Sequence, residues 1–160
     1  SACADVELSV VISLVDGCTS TNPAMRSDVH VACNMGTGRQ MYHWHTGTMT
    51  RRSEGLDARE PVPTVEIHPS DAAELGVGDG ETVRITSRRG SIRAQVKISA
   101  KAVRGTVFLP FHYGYWDDPE RSGHRRAANE LTITGYDPVS EQPYFKFAPA
   151  RIRKLEREAA

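Results

Sequence analysis

The sequence predicts a mainly β domain with short helices, its strands closing fully or nearly into a barrel. Three observations carry this. Short β-branched runs recur between Gly- and Pro-rich turns along most of the 160 residues. Two of them, Thr82–Thr86 and Ser91–Ile98, alternate apolar and polar residues strictly across the turn Ser87-Arg88-Arg89-Gly90, which defines a hairpin with one buried face. Helical periodicity is confined to one short stretch. Closure removes the exposed edges that such short strands would otherwise leave.

The elements read as follows. Val6–Val15 is rich in β-branched residues and ends at Asp16-Gly17, so a strand is expected there, followed by a polar loop to Ser27. Val29–Cys33 predicts a short strand entering a turn at Gly36-Thr37-Gly38-Arg39. Residues 42–60 lack periodicity and read as a long ordered loop, a length that usually accompanies binding. Thr64–Ile67 is a short strand. His68–Gly76 is a short helix, with Pro69 suited to the first helical position, Asp71 near the positive end and Gly76 at the stop. Beyond the hairpin, Thr106–Phe111 is a strand, and Leu131–Thr134 a weaker one. Phe145–Ala148 and Arg151–Arg153 form a last strand interrupted by Pro149. Leu155–Ala160 reads as a charged helical tail. The expected organisation is therefore an unassigned segment 1–30, a barrel over 31–153 and a tail over 154–160.

Composition narrows the function. Lys+Arg and Asp+Glu both number 20, so the net charge is zero. A nucleic-acid-coating protein would carry a basic excess. No apolar run approaches the ~20 residues of a membrane helix, and no basic segment precedes Leu8–Val15 to make it a signal peptide. Cys3, Cys18 and Cys33 form neither a disulfide framework nor a zinc ribbon. A reduced, cytoplasmic setting is expected.

The chemistry concentrates between Gly36 and Ser53, where two imidazoles, Thr hydroxyls, a Ser and three arginines lie between glycines. Such a segment suits an anion bearing polar heterocycles, because guanidinium forks grip phosphate in pairs. The turn Gly36-Thr37-Gly38-Arg39 lacks the third glycine of a dinucleotide fingerprint and no helix is expected after it, so it is not a Rossmann loop. No Gly-Lys-Ser/Thr phosphate loop exists. His43 and His45 share one side of an extended segment, and with His112 they allow a metal-binding alternative. Hydrogen bonding by these imidazoles, to ligand or backbone, is the preferred reading. Pro110–Trp116 places His112 and Gly114 at a strand exit, Asn129 offers an amide able to read a purine or pterin edge, and Lys146 is an exposed ion-pair partner by default. No catalytic triad or reactive cysteine is recognisable.

Six segments, in order, resemble the C-terminal cofactor-binding domain of molybdopterin oxidoreductases, the dimethyl sulfoxide reductase superfamily. They are Thr37-Gly38-Arg39 with His43-x-His45-Thr46-Gly47-Thr48-Met49-Thr50-Arg51-Arg52-Ser53; Val65–Gly76; the hairpin around Ser87–Gly90; Gly105–His112; Ala128–Thr132; and Asp137-Pro138-x-Ser140-x-Gln142-Pro143-x-Phe145-Lys146. The first cluster is most similar to formate dehydrogenase-type catalytic subunits.

The resemblance implies a double-psi β-barrel that binds molybdopterin guanine dinucleotide, present as a pair around Mo or W in the complete enzyme. It implies cofactor contacts from Thr37, Gly38, Arg39, His43, His45, Thr46, Gly47, Thr48 and Thr50, completed by His112, Asn129 and Lys146. It assigns no catalytic residue and no metal ligand to this chain, because the family keeps its metal ligand, substrate funnel and Fe–S cysteines in other domains. The implied partner is the rest of a catalytic subunit, or a large subunit, and the implied reaction is formate oxidation, with nitrate reduction next. A cofactor-free structural barrel, which the unmatched first 30 residues motivate, and the His43/His45/His112 metal barrel are the alternatives.

Overall fold

The computed structural model describes residues 30–114 and 127–155. Six strands close a barrel in the order β1-β5-β2-β4-β3-β6. They are β1 (His30–Gly38), β2 (Thr64–Ile67), β3 (Thr82–Thr86), β4 (Ser91–Ile98), β5 (Thr106–Pro110) and β6 (Phe147–Lys154). β1 runs parallel to β5 and β2 parallel to β4; the remaining pairs are antiparallel. Exchanging β1 with β4, β2 with β5 and β3 with β6 leaves every pairing and its direction unchanged. This internal two-fold relates β1–β3 to β4–β6, and each parallel pair joins one strand from either half, which is the double-psi arrangement.

The alternation that predicts the hairpin also builds the core. Val83, Ile85, Ile92, Ala94 and Val96 point inward and meet Met35, Val65, Ile67, Leu109 and Ile152 in one buried cluster. Ile85 faces Ile92 across one ladder and Ile152 across the other. Each such side chain contributes about 1.5–3 kcal/mol by leaving water.

The helix α2 (Pro69–Leu75) forms where expected, with Pro at its start and Gly76 left-handed at its end, φ 64°. Its N-cap is His68, whose Nδ1 accepts the Ser70 N–H at 3.1 Å, an imidazole in the role usually taken by Asn or Asp. The buried Asp71 ties this helix to the turn before β5 by accepting from Gly105 N–H at 2.7 Å.

Four expectations need correction. β1 does not turn at Gly36–Arg39 but continues to Gly38, because Asn34 to Gly38 pair with Thr106 to Pro110. The long segment after it contains a 3-10 turn, Thr50–Arg52, and one helical turn, α1 (Glu54–Asp57). Leu131–Thr134 is not a strand; a 3-10 turn at Ala128–Glu130 buries Ala128, and Leu131 follows it into the core. β6 runs unbroken through Pro149. Pro149 faces Asn34, whose N–H points the other way to Gly105 O at 2.9 Å, so this is a non-hydrogen-bonded pair. The missing Pro donor therefore faces away from β1, where pairing with β3 begins only at Arg151. The strand expected at Val6–Val15 and most of the tail expected at Leu155–Ala160 lie outside the described residues.

The candidate cofactor-binding end of the barrel

One end of the barrel collects most of the singled-out residues. β1 and β5 run parallel and both finish there, at Gly38 and Pro110. β6 opposes β1 and starts there at Phe147, and β2 opposes β5 and starts there at Thr64. The segment 39–60 leaves from this end and returns to it. Its shape is set by two left-handed residues, His45 at φ 47° and Gly47 at φ 77°. A Cβ on Gly47 would lie 2.9 Å from Arg51 Cδ and 3.0 Å from His112 O, so the close approach requires glycine.

Beneath the loop lies a layer of directed hydrogen bonds. His43 is buried; its Nε2 donates to Glu60 O at 2.9 Å, which leaves Nδ1 to accept from Thr50 Oγ1 at 3.3 Å. Thr50 Oγ1 in turn accepts Trp44 N–H at 3.1 Å. His112 is fully buried, donates from Nδ1 to His45 O and accepts Gln40 N–H at Nε2, 2.8 Å. The two rings are 5.5 Å apart. Tyr113 OH donates to Glu60 O at 2.8 Å, and the Arg51 guanidinium sits 4.6 Å over its ring. Arg51 also pairs with Asp57 at 3.3 Å.

Burial sets the electrostatics of this layer. It holds His112 below the usual imidazole range, with the nearby His43, Arg39 and Arg51 adding to the effect and the bond to His45 opposing it. It pushes the Glu60 carboxyl up, and Glu60 Oε2 is closed from solvent without a hydrogen-bond partner among the described residues. Burial and the Asp71 carboxylate raise the Cys33 thiol to about 12, which makes it inert.

The twelve residues divide by exposure. Arg39, His45, Thr46, Thr48, Asn129 and Lys146 present their side chains to solvent, whereas Thr37, Gly38, His43, Gly47 and His112 are buried and Thr50 is half-buried. Thr37 Oγ1 donates to Phe145 O, and Lys146 Nζ reaches Thr37 O at 3.5 Å. Rather than a carboxylate, the Lys146 ammonium meets the Phe145 and Phe111 rings, at 5.1 and 5.7 Å. The Arg39 guanidinium lies 4.9 Å over the half-exposed Trp44 ring. Asn129 sits apart from these contacts, on a 3-10 turn that packs against β4.

Gln40, Glu60 and Tyr113 complete the layer without any local signal. Their bonds span 17 to 73 residues, and only the fold brings them together. The metal alternative has no geometric support, since His43 and His112 each spend both ring nitrogens inside the chain. Among the described residues no group of three His, Cys, Asp or Glu is arranged to hold a metal ion.

A family model described as "Molydopterin dinucleotide binding domain" matches residues 34–149. The alpha subunit of F420-dependent formate dehydrogenase 1 of Methanococcus maripaludis is 34% identical over 134 residues, covering 84% of this chain and 18% of the relative. The alpha subunit of F420-dependent formate dehydrogenase of Methanocaldococcus jannaschii is 36% identical over 119 residues, covering 74% of this chain and 16% of the relative. The chain thus spans less than a fifth of the length of these relatives. Among solved structures, acetylene hydratase from Pelobacter acetylenicus superposes with a TM-score of 0.64 at 18% identity, over 77% of this chain and 18% of that one. That likeness concerns the fold.

Proposed function

The chain belongs to the molydopterin dinucleotide binding domain family, and from that premise we propose that it serves as the guanine dinucleotide-holding unit of a formate-oxidising Mo or W enzyme. Residues 31–153 are the binding unit. The observation that carries the reading is the segment Arg39–Thr50, where Arg39, Thr46 and Thr48 are exposed while the buried His43 and His112 imidazoles are bonded within the chain. The donor set fits the group. The twelve proposed positions supply hydroxyls, an amide, a guanidinium and an ammonium, and no carboxylate. Thr and Asn can read a pterin or purine edge, and Arg39 with Lys146 can meet the pyrophosphate.

The roles then separate. Arg39, His45, Thr46, Thr48, Asn129 and Lys146 face the ligand, whereas Thr37, His43, Thr50 and His112 hold the shape against which it rests. Gly38 and Gly47 admit close packing. When bound, the cofactor's metal centre supplies the redox chemistry. The chain's own work is to bind, orient and neutralise charge.

The 16–18% coverage of formate dehydrogenase alpha subunits supports a partner made of the remaining catalytic domains, in one polypeptide or as a separate large subunit. No helix among the described residues is long and apolar enough to cross a membrane. The buried free thiol of Cys33 supports a cytoplasmic setting.

The test is the triple variant Thr46→Val, Thr48→Val, Asn129→Leu in the 160-residue chain. Thr46, Thr48 and Asn129 are exposed, so stability should stay within about 0.5 kcal/mol per site, while dinucleotide binding is lost. Unchanged binding by the folded variant would overturn the assignment.

A further inference from the structure

We infer that His112 is a positioning residue whose neutral Nδ1–H tautomer latches the loop 39–50, so that protonating this one imidazole releases the loop. The bonds dictate the tautomer. His45 offers a carbonyl, which can only accept, so Nδ1 carries the proton. Gln40 offers a backbone N–H, which can only donate, so Nε2 carries none. One ring therefore joins the exit of β1 to the left-handed residue in the middle of the loop.

Protonation affects the two buried imidazoles differently. A proton added to His43 Nδ1 meets Thr50 Oγ1, and a hydroxyl can rotate from donor to acceptor. A proton added to His112 Nε2 meets the Gln40 N–H, and a backbone amide cannot turn round. The contact becomes donor against donor and must open. The left-handed His45, whose carbonyl that ring holds, is then free to relax.

The groups facing His112 among the described residues come from several elements. They are Arg39 after β1, His43 and His45 in the loop, Arg51 in the 3-10 turn and Tyr113 beyond β5. The two arginines oppose a further positive charge, so the latch stays closed through neutral pH. The latch concerns the chain's own loop and does not depend on a ligand. Its consequence, that acid weakens dinucleotide binding before the barrel unfolds, rests on the function proposed above.

The experiment is two-bond 1H–15N NMR of the 160-residue chain, 15N-labelled, titrated from pH 8 to pH 4. At pH 8 His112 should show its proton on Nδ1 and His43 on Nε2. The Gln40, Trp44 and Gly47 amides should then shift together in the same step that protonates His112, while core amides such as Ile85 stay put. His112→Gln, which keeps a donor and an acceptor but does not titrate, should lose that step. If this variant fails to fold, the wild-type titration decides alone. A proton on His112 Nε2 at pH 8, loop amides that stay still as His112 protonates, or loop amides that move only when the barrel unfolds would each overturn the latch. Dinucleotide binding is read separately, so its failure bears on the function and not on the latch.

Discussion

His43 and His112 stand with ring centroids 5.5 Å apart and carry their single protons on opposite nitrogens, Nε2 in His43 and Nδ1 in His112. The Glu60 carbonyl requires the proton on His43 Nε2, and the His45 carbonyl with the Gln40 N–H requires His112 to be neutral with its proton on Nδ1. A neutral ring suits the buried His112 beside Arg39 and Arg51. The two rings are buried, whereas Arg39, Thr46 and Thr48 of the same loop are exposed.

Thr50 is the pivot of the His43 side of this layer. Thr50→Val removes the donor to His43 Nδ1 and the acceptor for Trp44 N–H. Water can replace part of this at a half-buried site, so a loss of about 1 kcal/mol is expected. Urea denaturation checks it, and a larger loss is expected in dinucleotide affinity than in stability.

Gly47→Ala tests the loop shape. The φ of 77° and the 2.9 Å approach to Arg51 Cδ leave no room for a Cβ. The expected cost is about 1–3 kcal/mol, read as a lower urea midpoint at unchanged slope. Gly55→Ala is the control, because a Cβ there meets nothing within 4 Å.

How much of this was legible in the sequence depends on the distance over which each feature is encoded. The hairpin Thr82–Ile98 and the helix Pro69–Leu75 are local patterns, and both form as expected. β1 outran its expected end because Gly36 and Gly38 read as a turn until β5 lies alongside them. Pro149 read as an interruption because only register shows that its missing donor faces no partner. The loop residues were recognisable by composition and by resemblance. Gln40, Glu60 and Tyr113 were not, since Gln40 and Glu60 act here through a backbone amide and a backbone carbonyl, which residue type does not mark, and Tyr113 meets that carbonyl only through the fold.

Two groups give stability opposite pH dependences. His112 is lowered in the fold, so the unfolded chain takes up its proton first. Its contribution is complete above the unfolded value of about 6.5 and is lost as pH falls through the lower folded value. Glu60 is raised, so its contribution is present below about 4.5 and is lost as pH rises through the folded value. Glu60→Gln should therefore raise the melting temperature at pH 7 and have less effect at pH 4. Melting curves of both proteins across this range check the sign.

The chain alone should show no formate-dependent dye reduction. The resemblance assigns the metal's protein ligand to other domains, and the matched region is under a fifth of the relatives' length. Turnover by the pure 160-residue chain would contradict the division of labour proposed here.

The most direct measurement is oxidative release of pterin from the chain isolated from its native host, read by fluorescence and paired with assay of the GMP set free. Pterin and GMP in equal amounts, near one or more per chain, are predicted for a working dinucleotide-holding domain. A barrel that is folded by circular dichroism and yields neither, even with its co-purifying partners present, would contradict it.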